Sequence, residues 1–529
     1  IMAVQSTTRV NVPNRSGFDK GYKNILTTKV GTITPLACKY VMPGAKGHIR
    51  IPISACLPPL ASDTFMRCSL KVEAFLVPMR LLYGGFESWQ TGAKVYDSAN
   101  NVYTTAEIPR LYITANEMSS HPSLYSPGSL LDYLDFRPNA ADSLGTGETK
   151  YFNVFPLLAY HRVYDDWYRN AKVQSPAFSS PLFPGASIRL SYLPYVCSAT
   201  LIPIVASTQF VDGVQLGALR QRNWGDDYFS IATASAQVGS PISVASASSF
   251  TIAALRTGNS LQQFSERSNL TSPRLQDYNK AHFGANLSSG IAQRSILLGS
   301  ASYDVYSKGI EANAPSSATN NPFTSVGARY GNAFASGADF ECSYEANEQS
   351  YLLINATLVP EANYGSGISR EFLMLNGAGA QVDLPDPLLE NIGNEPIYSS
   401  ELSGFYSIVP QTGVPGSIFG YVPRNTWYKS NNNQVHGLLR AGQSLDSFVA
   451  QRTFTGSVSI GTNFLQIPTT ALDNVTAVTA DLSNYGCWID SYIDIKESCP
   501  LSESAMPSLQ DPAYEHGHSI VVPKNGSKL

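Results

Sequence analysis

Residues 64–78, TFMRCSLKVEAFLVP, decide the fold class. Met66, Cys68, Leu70, Val72, Ala74 and Leu76 alternate with Arg67, Ser69, Lys71 and Glu73. A period of two belongs to a strand with one buried face, not to a helix. Pro78 closes it, since proline cannot donate to a ladder. The text upstream repeats the message. ILTTKVGTITPLACKYVMPG (25–44) ends in a Pro43–Gly44 turn, and HIRIPISACL (48–57) alternates until Pro58–Pro59. Three long strands split by turns, followed by a large excursion, predict an antiparallel sandwich. Further strands are predicted at 339–345, 350–359 and 451–468.

Between the strands the chain is irregular. Residues 79–150 read mostly as loop, 171–220 are dense in Ser and Pro, and 300–336 are rich in Asn, Ala, Ser and Gly. These three stretches are predicted as insertions. A tail from about 500 is predicted to be extended. The expected organisation is a basic arm over 1–23 and a single β domain over 24–529, with no internal repeat.

One segment interrupts the β pattern. PLLAYHRVYDDWYRN (156–170) places Pro156 at a first helical position and repeats Leu157, Tyr160, Tyr164 and Trp167 at spacings of three and four. It predicts a helix docked on the β core, with His161, Arg162, Asp165, Asp166 and Arg169 on a solvated face or in contacts between copies. A second helix is predicted at 272–284, capped by Ser272 with Pro273 behind it, with Leu275, Tyr278 and His282 inward and Gly284 at its end. Gly258 is expected to interrupt the helix before it.

Composition narrows the class. Charged residues are 14% of 529, against about 25% in an average globular protein. Tyr, Ser, Asn and Gly replace them, as suits a surface that meets other copies of itself, where charge is depleted and aromatics are enriched. Seven scattered cysteines form no C-x-x-C pair, which argues against a disulfide framework or a zinc site. Cys38, Cys56 and Cys68 are expected to be small core residues. No signal-peptide core or membrane-span run is legible, so a soluble protein made inside a cell is expected. Net charge is −4, yet residues 1–50 carry eight Lys or Arg against Asp19 alone. Such an arm can touch phosphates but cannot neutralise a genome by itself.

Enzymatic chemistry has little to stand on. His161 and Asp165 lie one turn apart, but neighbouring Asp165 and Asp166 point about 100° apart and cannot address one substrate together. His516 and His518 lack a third ligand at a useful spacing, so no metal and no cofactor are expected. Phosphate-cradling, nucleophile-elbow and zinc-protease motifs are absent.

Several islands, in order, resemble the major capsid proteins of the Microviridae, the small single-stranded DNA phages, especially the gokushovirus branch. The helix at 156–170 resembles that family's aromatic helix, and QRNWGDDYFS (221–230) its basic-then-DYF segment. ATASAQVGSP (232–241) departs from the family pattern that follows. FTIAALRTGNSLQQFSER (250–267) keeps Thr251, Ile252, Leu255, Arg256, Glu266 and Arg267. AHFG (281–284) is followed by Arg294, Leu298 and Gly299. NIGNEPIY (391–398) and FGYVPRNTWYK (419–429), with Gly420, Tyr421, Arg424 and Tyr428, match two later elements.

The resemblance implies an all-β, eight-stranded antiparallel jelly roll of the viral capsid type, with long loop insertions and a few short helices. It implies a homo-oligomeric T=1 icosahedral shell around a circular single-stranded DNA genome, found in the virion and assembled in the host cytoplasm. A small basic DNA-binding protein, an internal scaffolding protein and a DNA pilot protein are implied as partners. One insertion, 79–150 or 171–220, would meet a host receptor. Within that frame Arg9, Arg15, Lys20, Lys23, Phe18 and Tyr22 are the candidates for DNA contact. Tyr160, Tyr164, Trp167, Arg169, Tyr278, His282, Phe283, Tyr421, Arg424 and Tyr428 are the candidates for contacts between subunits. The competing reading is a bacterial envelope or carbohydrate-binding β protein whose aromatic loops stack on sugars. A β-rich hydrolase would need an acid–base set that the sequence does not display.

Overall fold

The structure, a computed structural model, describes residues 15–136 (with gaps of at most four residues between 63 and 109), 148–176, 201–203, 216–235, 252–271, 275–286, 294–311, 329–374, 384–387, 393–404, 417–477 and 486–501. Arg9, Cys197, Ser272, Pro273, His516 and His518 lie outside the described residues, as do most of 171–220 and the tail beyond 501.

Eleven strands join one antiparallel system: β1 (Ser16–Asp19), β2 (Tyr22–Thr28), β3 (Thr34–Val41), β4 (Lys46–Ile51), β5 (Ile53–Cys56), β6 (Cys68–Pro78), β7 (Ile296–Glu311), β8 (Arg329–Ser336), β9 (Phe340–Glu345), β10 (Ser350–Pro360) and β11 (Cys487–Cys499). Three of the breaks are local. Pro52 separates β4 from β5, Lys20 and Gly21 separate β1 from β2, and the turn at 337–339 separates β8 from β9. In each case both halves lie along one partner: β1 and β2 both pair with β11, and β4 with β5 run along β9 with β8. The eleven segments are therefore eight chain passes. In space they run first–eighth–third–sixth in one sheet and fifth–fourth–seventh–second in the other. That order is a jelly roll. The sheets join where β7, paired with β6 over 296–304, swings to pair with β8 over 305–311.

The sandwich core lies between them. Leu36, Ile49, Ile51, Leu70, Val72, Leu352, Ile354, Ile489 and Ile493 are all buried in it. The packing is close: a Cβ at Gly299 would stand 3.2 Å from that of Cys342 on the facing sheet. Strand β6 carries a second load. Its even residues enter the sandwich as their alternation predicts, but Phe75 and Val77 are also buried, on the opposite face. There, with Tyr351 and Leu353 of β10 and Ile33, they meet α1 (Phe155–Val163) and apolar residues of 79–131, including Leu82, Phe86, Leu111 and Leu130. Much of the predicted loop region 79–150 is thus a second core that covers one outer face of the sandwich. A third cluster, with Tyr228, Phe229, Ile397, Phe419, Val422 and Phe464, lies beside it.

Several expectations need correction. Residues 300–311 and 329–336, read as part of an insertion, belong to strands. Their Ser, Gly and Ala content hides the inward Tyr303, Val305, Ala333 and Ala335. Residues 451–468 form no strand. A short helix, Thr462–Leu465, follows irregular chain whose Phe454, Val458, Ile460 and Phe464 are spent singly on the third cluster. The helix α2 (Ile252–Leu270) continues through Gly258. Residues 16–19 and 22–23 of the expected arm belong to strands paired with β11. Cys56 is exposed rather than in the core.

Phe75 touches both Trp167 and Tyr168 at centroid distances of 5.9 Å. Phe75→Ala should therefore cost about 3–5 kcal/mol, read as a shift in the urea unfolding midpoint. A change under 1 kcal/mol would mean that the second core is not packed on β6.

Candidate functional site

The helix at 155–168 is held by a buried network of charge. Its last turn, Tyr164–Tyr168, widens to a π-helix, which turns Asp165, Asp166 and Trp167 toward different partners. Asp166 accepts from Arg162 Nε at 2.9 Å and from the Ser295 N–H and hydroxyl at 2.9 and 2.8 Å. Asp165 accepts from Arg169 Nε at 2.5 Å. Arg294 lies 3.6 Å above the Trp167 ring and donates to the Asp166 carbonyl at 2.6 Å. Both carboxylates are enclosed by cations, which is how ionised groups survive burial.

The other side of the helix grips the strands. Tyr160 donates to the Ile33 carbonyl at 2.7 Å and accepts from the Arg220 N–H at 2.8 Å. Arg220 Nε donates to His161 Nδ1 at 2.9 Å, so His161 Nε2 carries the proton given to the Leu216 carbonyl at 2.8 Å. Burial, reinforced by the Arg220 charge, holds the His161 pKa well below its ordinary value. At Glu73 of β6 the Arg222 fork closes at 2.7 and 3.0 Å, and Tyr168 donates at 2.6 Å. Burial alone would raise Glu73; Arg222 and Tyr168 outweigh it and hold the carboxyl below its usual range. In the third cluster, burial instead raises Glu401 and Glu395 despite Arg370, which reaches Glu401 at 3.1 Å.

His161, Arg162, Asp165 and Asp166 are therefore interior residues, not a solvated face, and none is presented to a substrate. Tyr160 and Tyr164 are buried in their own chain, which corrects their reading as contacts between subunits. Trp167 and Arg169 are half-buried, committed to Ser295 and to Asp165. In α3 (Leu275–Phe283), Tyr278 stacks on His282 at 4.2 Å, and His282 meets Phe264 and Ser268 of α2. Phe283 projects outward, 74% exposed, as does Tyr428 at 71%. Tyr421 and Arg424 are half-buried.

Of the predicted DNA-contact residues, the described ones (all but Arg9) lie along β11. Arg15 donates to the Ser498 carbonyl at 2.7 Å, Lys20 pairs with Glu497 at 2.6 Å, and Lys23 pairs with Asp490 at 3.1 Å. Phe18 and Tyr22 pack against the sandwich core. Burial lifts the thiols of Cys38, Cys342 and Cys487 to about 12, which leaves them unreactive. Among the described residues, no cluster of His, Cys, Asp and Glu could hold a metal, and no helix is long and apolar enough to cross a membrane. A cleft of about 920 Å³ is lined by Arg67, Lys71, Asp226, Asp304, Tyr306 and Asn432.

The sequence profile of the capsid protein (F protein) family matches residues 6–181 and 178–508. The chain belongs to this phage capsid family. Capsid protein VP1 of Chlamydia phage 1 is 22% identical over 605 aligned residues, covering 94% of this chain and 96% of that protein. Membership agrees with the jelly-roll order of the strands and with the microvirus resemblance, and it gives this capsid chain a structural role in a virion.

The buried His161 yields a pH dependence with a fixed sign. Its folded pKa lies below its unfolded one, so the unfolded chain binds more protons as pH falls through the ordinary histidine range, and stability drops. The melting temperature should fall more steeply between about pH 7 and 5 in the parent than in His161→Gln. Parallel slopes would contradict the neutral, desolvated imidazole.

Proposed function

We propose that this capsid chain self-assembles into a small T=1 icosahedral shell enclosing a circular single-stranded DNA genome, formed in the host cytoplasm. The observation that carries the reading is the family match over nearly the whole chain, on a jelly roll whose insertions build a second layer. Function then resides in contacts between copies. Phe283 and Tyr428, which present most of their rings to solvent, are the strongest of the anticipated contacts; Tyr278, His282, Tyr421 and Arg424 support them.

The DNA-facing role of the amino-terminal region is proposed for Arg9, Arg15, Lys20 and Lys23. The ion pairs of Lys20 and Lys23 are half-exposed on the lysine side. Only the Lys23–Asp490 pair is exposed on both sides; such pairs are worth at most about 1 kcal/mol, so a phosphate can replace that carboxylate, whereas Glu497 is buried and holds Lys20 more firmly. A chain of net charge −4 cannot balance a genome. A small basic DNA-binding protein is therefore proposed as a partner, with an internal scaffolding protein and a DNA pilot protein. Either insertion, 79–150 or 171–220, is proposed to meet the host receptor, and deletion particles that infect normally would exclude the deleted one.

Expressed with its basic and scaffolding partners, the chain should give uniform small shells in negative-stain micrographs. Monomers that bind glycans would favour the envelope-protein reading.

A further inference from the structure

The two outer faces of the sandwich differ. The face carrying Phe75 and Leu353 is covered by α1 and residues of 79–131, whereas the outer face of β2, β11, β5, β8 and β7 keeps large side chains in solvent. On that face the cross-strand register sets one straight row: Thr27 opposite Trp488, Trp488 opposite Cys56, Cys56 opposite Phe334, and Phe334 opposite Tyr306. Trp488, Phe334 and Tyr306 are 49%, 43% and 58% exposed. Partners directly opposite in antiparallel strands share a face, so the three rings stand in one line, Phe334 beside Tyr306 and Trp488 one strand further across Cys56. Strand spacing places Trp488 and Tyr306 roughly 14 Å apart.

We propose that this row is a base-stacking platform for single-stranded nucleic acid, with Trp488, Phe334 and Tyr306 as the stacking rings and Lys308 and Lys23 as flanking phosphate contacts. The proposal rests on the reading of the chain as the shell of a single-stranded DNA particle, and it names the surface and the mode of contact. Three observations carry it. Exposed aromatics on adjacent strands of a sheet are how folded domains hold unpaired bases, two or three at a time, because every base has a π-face. The small Cys56 between Trp488 and Phe334 leaves a slot between rings. The row carries no charge, but cations bracket it: Lys308 lies two residues beyond Tyr306 on the same face, without an ion pair among the described residues, and Lys23 lies opposite Tyr492 at the other end.

A second copy of the chain is the competing occupant, and the face suits it less. Interfaces that stay closed resemble a domain core cut in half. Among the described side chains here, Ile25 is the lone large aliphatic, beside Thr27, Ser54, Asn332, Ser336 and the Lys23–Asp490 pair. Asp304, on the same face before Tyr306, bounds the platform where the 920 Å³ cleft begins.

The test uses the full chain and a fluorescein-labelled oligo(dT) in anisotropy titrations over a salt series. Trp488→Ala with Phe334→Ala should weaken binding about a hundredfold, roughly tenfold for each ring lost, with an unchanged salt slope. Lys308→Ala should lower the salt slope instead, and Trp488→Tyr should restore most of the affinity. Because the rings are exposed, the variants should melt like the parent. Undiminished binding by the double variant overturns the proposal. So does a double variant that binds oligo(dT) normally but no longer forms shells, since the row is then a contact between copies. A parent chain that assembles yet binds no oligo(dT) locates the failure in the DNA-enclosing reading itself.

Discussion

Strand β6 belongs to two cores at once, and the remaining architecture depends on that constraint. Leu70, Val72, Ala74 and Leu76 fill the sandwich, while Phe75 and Val77 receive α1 and the 79–131 layer. Glu73, on the same face as Phe75, fixes the docking direction through Arg222 and Tyr168. An apolar contact alone lets a helix slide or rotate. The Glu73 fork, the Tyr160–Ile33 bond and the Asp166–Ser295 bonds remove that freedom, because each leaves a buried polar group unpaired if the helix moves.

This division of labour explains why one sheet is sealed and the other is not. The chain between β6 and β7 is long, and much of its described part returns to cover the β6–β10 face. The β11–β5–β8 face gains no such cover among the described residues, yet it holds aromatic side chains that a solvent-facing sheet would ordinarily exchange for polar ones. In a protein whose work is contact, an uncovered aromatic face is a statement about what it touches.

Sequence alone reached the fold class and several strands. Where the apolar pattern is strong, as in the alternating TFMRCSLKVEAFLVP and the near-continuous run SYLLINATLV, the boundaries fall within a few residues of the observed ones. It missed β7 and β8, whose small residues look like loop, and it passed over β11, although CWIDSYIDIKESC alternates buried and exposed along its length. At the helix, periodicity identified Tyr160 and Tyr164 as apolar but could not say that charged residues on the opposite stripe are also interior. Their partners Arg220 and Ser295 stand over 50 and over 120 residues away in sequence. The aromatic row was not legible at all, since its rings come from three separate strands and meet through register.

Amide hydrogen exchange on the unassembled chain tests the coupling of the two cores most directly. The account predicts that α1, β6 and β10 exchange slowly together, as one cooperative unit. Rapid exchange throughout α1 beside a protected β6 would contradict it, because the second layer would then be docked by assembly and not by the protomer itself.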